Sequence, residues 1–203
     1  MSITSFTIIL VVIYLIFLNW NYRWLKKPLT KAEIDRLSAK GGYDDMSAVG
    51  KANFRRFMEA DDGKPFYMVN LMKYREKALY HEGEFPDVKT GEDAAKLYNR
   101  AVIKELIKRG SYPVFYSRKM ANLISDSDGT DFFEHVGIVR YRSRRDLLNM
   151  VESPVYEECI KHKWASLEKT VAVPTRRVMM IDPAVTVTLA MVIIWLAVIL
   201  AAS

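Results

Sequence analysis

The chain has three histidines, and none stands in metal-ligand spacing. His81, His135 and His162 form no HxH, HxxxH or HExxH pattern, so no metal motif is expected. His135 falls in a strand-like run beside Glu134. Adjacent strand residues point to opposite faces, so these two would not act as one group. A His135 facing an enclosed interior could serve as a general base or a haem ligand; the plainer reading is a hydrogen-bonded structural histidine. His81 reads as a loop residue and His162 as one on a solvated helix face. Asn70 sits among apolar residues, so its amide must be satisfied if buried. It could orient a substrate carbonyl or bond neighbouring backbone. Arg140 could clamp a carboxylate or pair with Glu134 on its own strand face. Tyr98 and Tyr156 read as packing residues. Cys159 is the single cysteine, so no intrachain disulfide can form, and it reads as an inert packing residue. Asp126, Asp128 and Gly129 lack the full calcium-loop pattern and read as a plain turn. The candidate catalytic residues are therefore His135, Asn70, Arg140 and Tyr74, with no cofactor expected.

The elements that must position these residues can be read from periodicity and punctuation. Thr30 and Glu33 have capping-box spacing at the start of a helical lead-in, residues 28–60. Gly41-Gly42 breaks that helix. A second helix follows from Ser47 to Ala60, with Phe54, Phe57 and Met58 on one face. Asp61-Asp62-Gly63 stops it. Phe66 to Tyr74 (FYMVNLMKY) is apolar on both faces, as a strand covered on both sides should be. Thr90 and Asp93 cap a helix running to Arg109, with Ala94, Tyr98, Ala101, Val102 and Leu106 inward and Arg100, Lys104, Glu105 and Lys108 outward. Gly110 suits its C-terminus. Tyr112–Ser125 reads as a second strand region, Asp126–Thr130 as a turn and Phe132–Tyr141 as a third strand. Ser143 caps a short helix. Ser153-Pro154 starts another, with Tyr156, Ile160, Trp164 and Leu167 on one face. Val171–Met180, with Pro174, reads as an edge strand. The expected order is β-α-β-β-α-β, an α+β domain of the ferredoxin-like type over residues 65–180.

Both ends of the chain are apolar. Ile3–Trp20 and Ala184–Ala202 contain no Lys, Arg, Asp or Glu. A hydrocarbon core of about 30 Å needs about 20 helical residues, so 3–20 and 184–202 read as transmembrane helices. A cleaved signal peptide would carry a basic n-region and a small-residue cleavage site, which the first segment lacks. Arg23, Lys26 and Lys27 follow the first segment, and Arg176 and Arg177 precede the second. The positive-inside bias then places the domain in the cytoplasm and both termini outside. The net charge of +6 and pI of about 9.3 come from basic residues interspersed with acids. That fits attraction to anionic lipid headgroups and not a nucleic-acid patch.

Several residues carry a resemblance. Asn70-Leu71-Met72-Lys73-Tyr74 ends the first strand. Tyr80, Gly83, Thr90-Gly91-Glu92 and Tyr98 follow. Val139-Arg140-Tyr141-Arg142-Ser143-Arg144 and Ser153-Pro154-Val155-Tyr156 come later, with Met150 between them. In these the chain resembles a bacterial domain-of-unknown-function family of the dimeric α+β barrel superfamily, over about residues 65–178. It departs at Arg142 (usually Pro), at Phe133-Glu134-His135 (often Trp-Asp) and at Lys163 (commonly Arg). The resemblance implies that two sheets close face to face into a barrel. It also implies relatives that include cofactor-independent monooxygenases, small-ring isomerases and haem enzymes. Fold alone selects none of these. The expected function is a membrane-anchored accessory or scaffold subunit of a membrane assembly. The alternatives are a cofactor-independent small-molecule enzyme with a pocket in the barrel, and a haem-binding relative. Expected partners are the lipid bilayer, a second copy or related barrel subunit, and a larger membrane complex. The expected location is the bacterial inner membrane.

Overall fold

The two-faced apolar run Phe66–Tyr74 is the strand around which the sheet is built. The computed structural model describes residues 2–25, 27–39, 47–123, 132–178 and 183–202. Strands β1 (Phe66–Tyr74), β2 (Tyr112–Arg118), β3 (His135–Tyr141) and β4 (Leu167–Thr175) form one sheet in the order β2-β3-β1-β4. Every neighbouring pair is antiparallel. The expected strand 132–141 begins only at His135, and the expected strand 171–180 instead covers Leu167–Thr175. Pro174 is tolerated because β4 is an edge strand. The glycine pair at 41–42 and the turn at 126–130 lie outside the described residues.

Helices α1 (Ile3–Tyr22), α2 (Lys31–Ala39), α3 (Ala48–Glu59), α4 (Gly91–Lys108), α5 (Arg144–Val151), α6 (Pro154–Ser166) and α7 (Pro183–Ala202) complete the chain. Their starts follow the side-chain signals. Thr90 and Asp93 form a reciprocal capping box, and Ser47, Ser143 and Ser153 each accept a backbone N–H at a helix start. Gly110, at φ +66°, ends α4. Gly91 is required for a different reason. A Cβ there would lie 2.5 Å from the Ser166 carbonyl oxygen and 2.6 Å from that of Arg75. Its absence lets α4 start against the end of β1, where the Gly91 N–H donates to Arg75.

The chain divides into two compact units, residues 27–176 and the two terminal segments together. In the first, the core joins Phe66 and Tyr141 of the sheet to Val102 and Leu106 of α4, Leu147 and Leu148 of α5, Met58 of α3 and Ile34 of α2. Thus α2 and α3 sit on the same side as α4. Ladder partners share a face, so β1 and β3 place Phe66, Met68, Asn70 and Met72 with Tyr141, Val139, Gly137 and His135 on this helix side. Val69, Leu71, Val136 and Ile138 point the other way and are partly exposed. Phe115, Val171 and Val173 on the outer strands of that face are exposed.

Two side-chain expectations are corrected. Glu105 is buried and not solvated, because Arg109 and Lys108 close over it and Arg109 reaches on to the Asn149 carbonyl. Trp164 is exposed, with Lys163 5.1 Å from its ring, whereas Cys159 is buried on the packed side of α6. Of the expected stripe, Tyr156 packs against the core and Leu167 is buried, and Trp164 is the member that turns outward.

Arg145 fastens α2 to α5. It donates to both Glu33 carboxylate oxygens and to the carbonyls of Lys27 and Pro28. That contact, with the Thr30 N–H, lowers the Glu33 carboxyl from 4.5 to about 2. A depressed carboxylate stabilises the fold above its unfolded pKa, and that contribution is lost as pH falls from 4.5 toward 2. Partial exposure discounts the effect to about 2 kcal/mol. Urea midpoints at pH 7 and pH 2 should show wild type losing about that much more than Glu33→Gln.

In the second unit, α1 and α7 are long and apolar enough to cross a membrane, by length and composition. The Trp195 Nε1 donates to Thr7 at 2.9 Å, and the Tyr14 and Thr188 hydroxyls are 2.5 Å apart. The numbers rise on one helix as they fall on the other, so the pair is antiparallel. Interhelical hydrogen bonds of this kind contribute about 0.6–2 kcal/mol each in a bilayer.

Candidate functional site

His135 stands at the start of β3 on the helix-covered face of the sheet, with 4% of its surface exposed. It does not face a barrel interior. The Tyr74 ring lies 4.8 Å away at 50°, and the Tyr116 ring stacks at 5.8 Å and 21°. Tyr74 comes from the end of β1, beside the start of α4, and Tyr116 from β2. Gly137 lies beneath this cluster, with Met72 and Tyr116 filling the space where its side chain would be.

The polar atoms here are poorly satisfied. His135 Nδ1 is buried without a hydrogen-bond partner. Its Nε2 is 3.9 Å from Glu92 Oε1, beyond hydrogen-bond range and of a length that one small bridging group could span. The Tyr74 and Tyr116 hydroxyls are 3.4 Å apart, and Tyr74 otherwise reaches only the Met72 sulfur at 3.8 Å. Leaving a buried polar group unsatisfied costs about 1–3 kcal/mol. Burial lowers the His135 pKa; Glu92 opposes this and Arg118 adds to it. Burial pushes the Tyr74 phenol well up. With its pKa lowered, the imidazole is uncharged at neutral pH, and Glu92 is half exposed in the first turn of α4.

The four sequence candidates do not all converge. His135 and Tyr74 touch. Asn70 shares their face, and its amide donates to the carbonyls of Met68 and Gly137, both at 3.2 Å, so it bonds backbone. Arg140 lies on the opposite face, 1% exposed, donating to the Gly110 carbonyl at 3.0 Å with its guanidinium 5.3 Å from the Tyr112 ring. Glu134 cannot be its partner, since six residues of strand span about 20 Å. Glu92 and Tyr116 were not among the sequence candidates. Their only signals were the Thr90-Gly91-Glu92 helix start and an aromatic in a strand, neither of which specifies contact with His135.

A second cluster corrects the reading of His162. Its Nδ1 is 2.6 Å from the Tyr80 hydroxyl, and the Phe85 ring packs edge-on at 4.8 Å. The loop between β1 and α4 is thereby fastened to α6, and His162 is not on a free helix face. Burial, with Lys161, lowers its pKa. Cys159 is buried, and burial raises its thiol. Among the described residues no group of three or more His, Cys, Asp or Glu could hold a metal ion.

Two solved structures share this fold. One is the crystal structure of a protein of unknown function from Rhodopseudomonas palustris, 28% identical, covering 64% of this chain and 95% of its own at a TM-score of 0.55. The other, of that protein in methylated form, is 27% identical, covering 65% and 94% at a TM-score of 0.57. No family model and no curated protein matches the chain.

Proposed function

We propose that the chain is a membrane-anchored accessory or scaffold subunit whose ferredoxin-like βαββαβ domain joins a second copy, or a related barrel subunit, sheet to sheet. The observation that carries this reading is the apolar face of Val69, Leu71, Val136, Ile138, Phe115, Val171 and Val173, opposite every helix of the core cluster. A soluble surface rarely leaves so large an apolar patch open. Helices α2 and α3 lie in the helix-side core and not over this face, which favours closure by another sheet into a dimeric α+β barrel. The antiparallel pairing of α1 and α7 suits two spans of a bacterial inner membrane with both tails outside. Arg23, Lys26, Lys27, Arg176 and Arg177 at the domain-side flanks support a cytoplasmic domain. An impermeant thiol reagent applied to intact cells should modify a cysteine placed at Ser2 but not one placed at Ser47. The reverse pattern refutes the orientation, and the buried Cys159 should stay silent in both.

The unsatisfied His135 favours a second reading, in which each domain also holds a small-molecule site requiring no cofactor. That site lies between sheet and helices of one chain, not inside the barrel. Tyr116 stacks on the His135 ring, Tyr74 lies tilted against it and Nε2 faces a carboxylate, an arrangement suited to proton transfer more than to haem ligation.

A further inference from the structure

His135 combines three properties that structural histidines seldom share. It is 96% buried, taking its exposure of 4%, and Nδ1 has no partner. Its other nitrogen faces a carboxylate across a 3.9 Å gap. The negative charge of Glu92 favours the tautomer with the proton on Nε2, which leaves the Nδ1 lone pair as an acceptor. The buried atom is then a base with nothing to bind. The rings of Tyr74 and Tyr116 lie 4.8 and 5.8 Å from the imidazole, and their hydroxyls, 3.4 Å apart, could donate to one oxygen between them. Arg118 pairs with His135 across the ladder, so its side chain leaves the same face, and it is exposed at the open edge of the cluster.

We propose that His135 is the proton-transfer base of a site for a small enolisable 2-oxo acid, with Arg118 holding the carboxylate and the two tyrosine hydroxyls holding the carbonyl oxygen. This deepens the second reading above and rests on it. The step is a tautomerisation. Nδ1 takes a proton from the carbon next to the carbonyl, the C–H pair becomes the C=C bond, and the carbonyl π pair moves to oxygen. The imidazolium N–H then gives the proton to that oxygen. One C–H bond is exchanged for one O–H bond, and no electron enters or leaves. The hydroxyls bond the enolate more strongly than the ketone because its oxygen carries more charge. Glu92 acts through His135 as a positioning residue.

The test uses full-length protein in detergent micelles, with phenylpyruvate supplied as its enol and the loss of enol absorbance followed. The reverse direction runs through the same enolate and serves equally. Acceleration over buffer by about 100-fold or more is expected, as general acid–base catalysis gives. His135→Gln should abolish it with the circular dichroism spectrum unchanged. Tyr116→Phe, at an exposed position that tolerates substitution, should lower kcat. Arg118→Ala should raise KM with kcat little altered. No acceleration, or full activity in both His135→Gln and Tyr116→Phe, overturns the proposal. Quenching of intrinsic fluorescence by phenylpyruvate separates the two levels of failure. Saturable binding without proton transfer overturns the chemistry and leaves the small-molecule site standing; absence of binding overturns both.

Discussion

Asp146→Ala is expected to lower the stability of the domain by about 3–5 kcal/mol, the cost of breaking a buried ion pair by removing one partner. Asp146 is 2% exposed. One oxygen accepts from Arg142 Nε at 2.9 Å and from the Ser143 hydroxyl at 2.7 Å; the other accepts from Arg142 Nη2 at 2.7 Å. The Ser143 hydroxyl in turn caps the Asp146 N–H. One carboxylate thus ties the end of β3 to the first turn of α5, where Leu147 and Leu148 enter the core. Alanine removes the carboxylate and leaves a mostly buried guanidinium without it. For a unit of this size the melting point should fall by roughly 10 °C. Asp146→Asn keeps a cap acceptor and should lose less. Thermal unfolding of full-length protein in detergent, monitored by circular dichroism, reads both.

The second large effect concerns association. Val69 and Ile138 face each other across β1 and β3 at the middle of the open sheet face. Each is only partly buried in the single chain, so a glutamate there should leave the fold intact. In a sheet-to-sheet dimer the same glutamate would be desolvated, and a two-fold interface would present it twice. A charge buried without a partner costs about 2–5 kcal/mol at an interface, which weakens association by roughly 30- to 3,000-fold. Ile138→Glu should therefore yield well-folded monomer at concentrations where wild type is associated, read by light scattering after size exclusion. Phe115→Glu, toward the edge, should cost less.

The parts of this fold that were legible in the sequence are those fixed by local chemistry. Thr90 and Asp93, Thr30 and Glu33, and Ser153-Pro154 each satisfy orphan amides within one turn, so their spacing alone announces a helix start. The run Phe66–Tyr74 was bounded correctly because nine residues of apolar strand between turn signals leave little choice. What depends on distant partners was not legible. The true inner face of α6 is set by its contact with α4, and periodicity favoured Trp164 because a large aromatic outweighs a cysteine in any apolar count. The start of β4 at Leu167 follows from its pairing with Tyr74 across an irregular register. The candidate site shows the same limit. His135 and Tyr74 were visible as chemically able residues, but Glu92 and Tyr116 reach them from other elements. Arg140 shares a strand with His135 yet faces the other way, because five residues of strand reverse the face.

The central claim is that the open sheet face is an assembly surface, and the mass of the full-length protein in lipid nanodiscs or mild detergent tests it most directly. Native mass spectrometry of wild type should show two copies, or one copy with a barrel partner, and Ile138→Glu should shift the population to single chains. A wild-type protein that remains one chain per particle across the accessible concentration range, with no partner bound, would contradict the claim.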